Sequence, residues 1–210
     1  MSFQWELLLF VFMAYLIGSI PTAVWAGKWF FGIDVREHGS GNAGATNALR
    51  VLGIKTGIGV LLVDALKGIG AVALSFFVRE AFHIEEWFVI YQLLLGGMAL
   101  LGHVFPLFAS FRGGKGIATL AGIVIILFPE AVLFCLGVFL LLFIPSRYVS
   151  LGSIGAAIFF PVAVIWIFPT DLMPKIIFSL AVAVFVPLTH KKNIRRLMKG
   201  QENKISFRKK

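Results

Sequence analysis

Apolar runs separated by short polar segments make up most of the chain. The runs cover residues 5–27, 56–78, 87–109, 117–144, 149–168 and 175–188. Most of them approach the roughly 20 apolar residues that a helix needs to cross a bilayer. Gly18 and Pro21 interrupt the first run without adding charge, which membrane helices tolerate. The pattern therefore predicts an all-α polytopic membrane protein.

The run at residues 117–144 decides the number of spans. As one helix it would be about 42 Å long, well beyond the roughly 30 Å hydrocarbon core. A break at Pro129 gives two short helices instead. With this break, the basic loop 28–55, Arg147 and the basic C-terminal segment all lie on one side of the membrane, as the positive-inside rule requires. The acidic loop 79–86 then lies on the opposite face. We predict seven spans, with several short helices, the N-terminus outside and the C-terminus in the cytoplasm.

Composition and charge support a membrane location. Hydrophobic residues make up 59% of the 210 residues, against about 45–50% in soluble domains. The net charge of +9 is concentrated after residue 189, where nine Lys and Arg residues face one acidic residue. We predict one transmembrane domain at 1–190 and a basic cytoplasmic tail at 191–210 that contacts anionic lipids. Aromatic residues do not interleave this charge, so no nucleic acid is expected as a partner.

A polar stretch between the first two runs, Gly39–Asn47, is the first candidate site. It holds Ser40, Asn42, Gly44, Thr46 and Asn47 and carries no charge. Glycines allow close backbone approach, and successive N–H groups with Ser, Thr and Asn side chains can bind an anion. A plain turn has a similar composition, so the stretch alone leaves both interpretations open.

A second glycine-rich turn, Gly113-Gly114-Lys115-Gly116, leads directly into the next apolar run. The N–H groups and dipole of a helix N-terminus favour an anion, and Lys115 adds a full positive charge. The alternative is a flexible turn with a positive-inside anchor. Its glycine spacing does not match the nucleotide-binding P-loop.

The third candidate lies after the last apolar run, where His190, Asn193 and Arg196 recur every three residues. If the helix continues beyond the membrane, the three share one face and combine a titratable ring, an amide and a guanidinium. Spacing alone favours the alternative of a solvated basic helix end. Asp64 and Lys67, one turn apart inside a span, are predicted to be a structural pair, and His103 a packing histidine.

Several signatures are absent from the sequence. It contains neither G-x-S-x-G nor a histidine followed five positions later by aspartate, and no nucleotide fingerprint follows a strand. Its four histidines lack metal-site spacing, and the single Cys135 excludes an intramolecular disulfide. We expect no metal and no cofactor.

The three polar segments together resemble the bacterial PlsY family of membrane acyl-phosphate:glycerol-3-phosphate acyltransferases. The likeness lies in Ser40-Gly41-Asn42-x-Gly44-x-Thr46-Asn47, Gly113-Gly114-Lys115-Gly116 and His190-x-x-Asn193-Ile194-x-Arg196. It extends over essentially the whole chain, including Gly102-His103-x-x-Pro106 and Arg147-Tyr148-Val149-Ser150. Each motif alone is weak, whereas three in order on one predicted face are specific.

The resemblance implies transfer of a fatty acyl group from acyl phosphate to the 1-hydroxyl of glycerol 3-phosphate in the bacterial inner membrane, with the site facing the cytoplasm. Lysophosphatidic acid and phosphate would be the products. Membrane lipids would be partners, and the soluble enzyme that makes acyl phosphate is a further expected partner. Because the mixed anhydride is already activated, positioning and electrostatic stabilisation suffice without a covalent nucleophile.

The expected roles of the site residues follow from that implied reaction. Ser40, Thr46 and the Gly113–Gly116 backbone would hold the acyl-phosphate head, and Lys115 would neutralise its charge. Glycerol 3-phosphate would be held by Arg50, His190, Asn193 and Arg196. Asn42, Gly44 and Asn47 of the first loop are also expected to bind substrate. The base is either His190 or a phosphate oxygen of the donor, and we favour the phosphate.

Two other functions use the same features. A transporter of phosphate or an organophosphate would need similar glycine turns and basic residues, but its site must be reachable from both membrane faces, and the acidic outer loop argues against this. A lipid-binding scaffold anchored by its basic tail would need no catalysis.

Overall fold

The computed structural model describes residues 2–205, with side chains from residue 5 onward, and these residues form ten α-helices. The helices are α1 (Ser2–Ser19), α2 (Thr22–Phe31), α3 (Ala45–Val51), α4 (Ile54–Ala73), α5 (Glu85–Val104), α6 (Ile117–Leu127), α7 (Pro129–Ser146), α8 (Val149–Val162), α9 (Met173–Thr189) and α10 (Lys191–Met198). Short 3₁₀ segments lie at Val35–Glu37, Leu74–Ala81 and Leu107–Ala109, and a π turn at Ala163–Ile167. Residues 2–205 contain no strand, so the all-α prediction is confirmed.

Within these residues, four helical stretches are long and apolar enough to cross a bilayer. They are Ile54–Ala81, Glu85–Ala109, Pro129–Ser146 and Val149–Ile167. The count rises to six if two bent pairs, α1–α2 with a 42° bend and α9–α10 with a 64° bend, each cross as one span. The one predicted span that is not among these six is α6, whose 11 residues reach only about 17 Å. The seven-span count and the orientation of the termini stay predictions.

The chain divides into two compact units, Met1–Leu127 and Phe128–Lys210. The predicted break at Pro129 is confirmed, because α6 ends at Leu127 and α7 begins at Pro129. Proline suits this first helical position, where its missing N–H has no helical partner to lose. The predicted domain boundary at residue 190 does not coincide with this division and stays a prediction.

In the first unit, α1 and α5 approach each other through glycines. A Cβ atom on Gly18 of α1 would overlap the backbone of Ala99 in α5, and one on Gly102 of α5 would overlap the carbonyl of Tyr15 in α1. Such backbone contact suits helices in lipid, where small residues permit the close packing that drives association. The last turn of α5 is therefore held tightly against α1.

Helices α4 and α6 pack in the same way. A Cβ on Gly68 of α4 would overlap the carbonyl of Thr119, and one on Gly122 of α6 would overlap the carbonyl of Ala65. This contact fixes α4, which carries two charged residues into the interior, against the helix that follows the second glycine turn.

Large apolar side chains face outward on both units. Trp5, Leu133 and Leu141 are 73%, 76% and 75% exposed, whereas interior positions such as Ala14 and Ala99 are small and fully buried. An outward apolar surface over a small-residue interior is the arrangement expected when the solvent is lipid. The fold therefore agrees with an integral membrane protein.

We expect Gly102→Ala to lower the free energy of unfolding by about 1–3 kcal/mol, because the added methyl group overpacks a backbone contact. Gly97→Ala in the same helix is the matched control, since nothing lies within 4 Å of a Cβ there. Denaturant unfolding in detergent micelles measures both. Equal stability of the two variants would contradict the α1–α5 contact.

Candidate active site

The first polar loop is organised by the side chain of Asn47. Its Oδ1 accepts from the backbone N–H of Ser40 (2.8 Å) and from Ser40 Oγ (3.1 Å), while its Nδ2 donates to the carbonyls of Val35 (2.7 Å) and His38 (3.1 Å). Only 1% of Asn47 is exposed. The four bonds use both amide hydrogens and the carbonyl oxygen, so Asn47 shapes the loop and fixes Ser40.

Three positions in this loop need glycine for definite reasons. Gly39 and Gly41 have φ angles of +63° and +73°, in the left-handed region that favours glycine. A Cβ on Gly44 would lie 2.9 Å from Oδ1 of Asn42, so a larger residue would displace that side chain. The backbone therefore turns sharply before α3, which begins at Ala45.

Helix α3 carries two further predicted residues. Thr46 lies in its first turn and Arg50 in its last, and both side chains are half-buried. They are four residues apart and so share one face of the helix. The hydroxyl and the guanidinium therefore lie on the same side of α3.

The second glycine turn packs against the C-terminal end of α5. The N–H of Gly113 donates to the carbonyl of Val104, and the N–H of Gly114 donates to the carbonyl of His103, both at 3.2 Å. These bonds satisfy carbonyls that the end of a helix leaves without a partner. Two of the N–H groups of the turn therefore already have partners within the protein, and Lys115, the next residue, is half-buried.

Arg36 joins the segments that carry the two loops. Its Nη1 donates to the carbonyls of Ala109 (2.9 Å) and Arg112 (3.4 Å), and its Nε and Nη2 donate to the carboxylate of Asp34 at 2.9 and 2.7 Å. The hydrogen bond from Arg36 holds the pKa of Asp34 well below its usual value, and Asp34 in turn raises the pKa of Arg36. The pair remains charged across the physiological pH range.

The turn that Arg36 holds is conformationally strained. Ser110 and Phe111 have φ angles of +54° and +58°, although neither is glycine. Such a residue costs of order 1 kcal/mol or more and persists only where neighbouring contacts hold it. The bonds from Arg36 to the flanking carbonyls provide that restraint immediately before Gly113.

In the second unit, His190 lies at the 64° bend between α9 and α10. It is 3% exposed, and its Nδ1 is 2.8 Å from the carbonyl of Val186 and 3.3 Å from Oγ1 of Thr189. A carbonyl only accepts, so Nδ1 carries a hydrogen and donates to Val186. The helix continues beyond Thr189 only after this bend, so Asn193 and Arg196, but not His190, lie within α10.

The residues after α10 fold back onto the start of α8. Oε1 of Glu202 accepts from Nδ2 of Asn193 (2.7 Å) and from Oγ of Ser150 (3.0 Å), and the N–H of Ile205 donates to the carbonyl of Arg147 (3.0 Å). Glu202 is 7% exposed. A carboxylate oxygen accepts the Asn193 hydrogen bond, so Nδ2 of Asn193 faces Glu202.

The predicted intramembrane pair forms in the first unit. Nζ of Lys67 lies 2.6 Å from Oδ1 of Asp64 and donates to the carbonyl of Ile20 at 2.7 Å. Both charged side chains are almost fully buried. The pairing agrees with the structural role expected from the sequence.

The predicted site residues thus fall into two groups. The first unit holds Ser40, Asn42, Gly44, Thr46, Asn47, Arg50, Gly113, Gly114, Lys115 and Gly116, and the second holds His190, Asn193 and Arg196. Sequence reasoning missed Arg36, which it counted only as charge, and Glu202. The one acidic residue of a basic segment was a signal for Glu202.

We expect Asn47→Asp to destabilise the protein by about 1–3 kcal/mol for each carbonyl it leaves unpaired at Val35 and His38. Aspartate keeps the acceptor for Ser40 but loses the Nδ2 donor. Ser40→Ala is the control, since it removes one neutral hydrogen bond of about 1 kcal/mol. Denaturant unfolding in micelles compares them, and a smaller loss for Asn47→Asp than for Ser40→Ala would refute the central role of Asn47.

Comparison with known families adds to this geometry. A family model described as glycerol-3-phosphate acyltransferase matches residues 8–200. A glycerol-3-phosphate acyltransferase of Chlorobium phaeovibrioides is 44% identical over 97% of this chain and 98% of its own length. One of Fusobacterium nucleatum is 42% identical over 94% of this chain and 97% of its own length.

Two solved structures have the same fold. The glycerol 3-phosphate form of PlsY, an integral membrane glycerol 3-phosphate acyltransferase, is 35% identical and superposes with a TM-score of 0.81 over 95% of this chain and 96% of its own. Its lysophosphatidic acid form gives a TM-score of 0.77 over 95% of both chains. The chain belongs to the glycerol-3-phosphate acyltransferase family represented by PlsY.

Proposed function

We propose that the protein transfers a fatty acyl group from acyl phosphate to the 1-hydroxyl of sn-glycerol 3-phosphate. The products are 1-acyl-glycerol 3-phosphate (lysophosphatidic acid) and phosphate, in the first acylation step of phospholipid synthesis. The main support is the fold shared over 95% of the chain with a PlsY solved in its glycerol 3-phosphate form. The neutral donors and basic residues of the two glycine-rich loops suit substrates that both carry phosphate.

In this proposal the first unit holds the acyl-phosphate head. The backbone N–H of Ser40 keeps its bond to Asn47, so the Ser40 hydroxyl can rotate toward a phosphate oxygen. Thr46 supplies a second hydroxyl, and Lys115 neutralises the charge that develops on the phosphate and on the carbonyl oxygen. Gly113 and Gly114 hold the turn close against α5, since their N–H groups donate to α5.

Glycerol 3-phosphate is assigned to Arg50, His190, Asn193 and Arg196. Guanidinium groups bind phosphate in a bidentate manner. The ring of His190 and the amide of Asn193 are assigned to the hydroxyl groups of the glycerol. Asn42, Gly44 and Asn47 act by shaping the first loop.

The reaction then needs positioning and charge stabilisation, without a covalent enzyme intermediate. The 1-hydroxyl oxygen forms a bond to the acyl carbon, and the bond from that carbon to the bridging phosphate oxygen breaks. The hydroxyl proton passes to the leaving phosphate, which is the base in our proposal. His190 orients the hydroxyl.

The proposed setting is the inner membrane of a bacterium, with seven spans and the catalytic loops facing the cytoplasm. The support is the distribution of charge, with basic segments at 28–55 and after residue 189 and an acidic segment at 79–86. A cytoplasmic site would be accessible to the soluble enzyme that supplies acyl phosphate.

A donor assay tests this function. We expect the purified protein in detergent to release phosphate from acyl phosphate when glycerol 3-phosphate is added, and to form no product from acyl coenzyme A. Lys115→Ala should lower kcat by about 10²–10³-fold, the loss typical of removing one transition-state donor. Lys55→Ala, an exposed basic residue near the first loop, is the matched control.

The same assay separates the alternatives. A transporter needs a sealed membrane and releases no phosphate in detergent, and a lipid-binding scaffold loses no catalysis when Lys115 is replaced. Absence of phosphate release by the unmodified protein would refute the enzyme proposal.

The choice of base is tested with His190→Ala. If the donor phosphate accepts the proton, the variant should show a raised KM for glycerol 3-phosphate but a kcat near that of the unmodified enzyme at saturation. Lys192→Ala, on the exposed side of α10, is the control. A kcat that stays about 10²–10⁴-fold low at saturation would identify His190 as the general base.

A further inference from the structure

We infer that His103 is a positioning residue that ties the second glycine turn, and with it Lys115, to the buried Asp64–Lys67 ion pair. The inference rests on the proposed function, because catalysis is its readout. In this inference the intramembrane ion pair and His103 together fix the position of the second glycine turn.

The ion pair is a fixed point inside the first unit. Nζ of Lys67 contacts Oδ1 of Asp64 (2.6 Å) and the carbonyl of Ile20 (2.7 Å), at the break between α1 and α2. Breaking either contact would leave a buried charge without its partner, which is strongly unfavourable. The pair therefore fixes α4 relative to α1 and α2.

One edge of the His103 ring faces this fixed point. Its Nδ1 lies 3.1 Å from Oγ1 of Thr119 and 3.9 Å from Oδ1 of Asp64. His103 is 7% exposed and Thr119 is fully buried. Thr119 lies in the first turn of α6, directly after the glycine turn, so this edge touches both the ion pair and the helix that carries the turn.

The opposite edge of the ring supports the turn itself. A Cβ on Gly114 would overlap Nε2 of His103 and would lie 3.3 Å from the carbonyl of Ala43, in the first loop. The backbone carbonyl of His103 also accepts from the N–H of Gly114. Gly114 is therefore held by the ring and the carbonyl of one residue, and it meets the first loop at the same point.

Lys115 is the next residue in the chain, so its position depends on this support. A displacement of about 1 Å at a reacting group can cost about 10²-fold in rate. Loss of the ring should therefore reduce catalysis even though His103 is not assigned a contact with substrate.

The test compares His103→Asn with the unmodified enzyme. Asparagine can place a polar atom near Nδ1 and so keep the Thr119 side, but it lacks the Nε2 edge under Gly114. We expect kcat/KM to fall by about 10–100-fold while the unfolding transition in micelles is preserved. Tyr15→Phe is the matched control, because it removes a hydrogen bond to the carbonyl of Phe105, near the same end of α5.

A double-mutant cycle with Lys115→Arg separates positioning from general loosening. If His103 acts through Lys115, His103→Asn should lower kcat/KM much less in the Lys115→Arg background than in the unmodified enzyme. We expect the two fold-losses to differ by at least about fivefold. Equal effects in both backgrounds, within about twofold, would overturn the inference.

If the His103→Asn variant fails to fold, Thr119→Val replaces it in the same double-mutant cycle. This substitution removes the hydrogen-bond contact with Nδ1 of His103 and leaves the imidazole ring in place. We expect the same non-additivity with Lys115→Arg, and additive effects would again overturn the inference. Failure of the proposed function is distinct, because the unmodified protein would then release no phosphate from acyl phosphate.

Discussion

A single ammonium group buried among apolar helices constrains the first unit most strongly. Lys67 cannot remain charged there without partners, and the penalty for an unpaired buried charge is several kcal/mol. Its contacts with Asp64 and with the carbonyl of Ile20 satisfy this need. They also fix how α4 is turned relative to the break before α2. Because His103 lies beside Asp64, the ion pair that this electrostatic requirement fixes also lies next to the residue that supports the second glycine turn.

Close backbone contacts at glycines also fix the C-terminal end of α5 against α1. Hydrophobic side chains gain little by leaving lipid, so helices in a membrane associate through close backbone packing. Gly102 meets the backbone of α1 directly before His103 in the chain. The carbonyls of His103 and Val104 are thereby held where they accept from the glycine turn. The packing that stabilises the bundle also sets the position of Lys115.

The sequence predicts the outline of the protein better than the arrangement of its site. Hydropathy predicts the helical runs, and Pro129 marks the break between α6 and α7, because both signals are local. Composition predicts that Asn47, Gly113 and Gly114 bind substrate. The structure shows that the side chain of Asn47 and the N–H groups of Gly113 and Gly114 make hydrogen bonds within the protein, and these bonds depend on how the loops fold. Arg36 contacts the carbonyl of Ala109, 73 residues away, and no periodicity reveals such a partner.

The carboxylates near the two candidate groups have partners within the protein. Asp34 is bound by Arg36, and Oε1 of Glu202 accepts from Ser150 and Asn193. A carboxylate directed at the substrates would repel both phosphates. The proposed chemistry therefore depends on Asp34 and Glu202 being held by partners within the protein as much as on the cations assigned to the substrates.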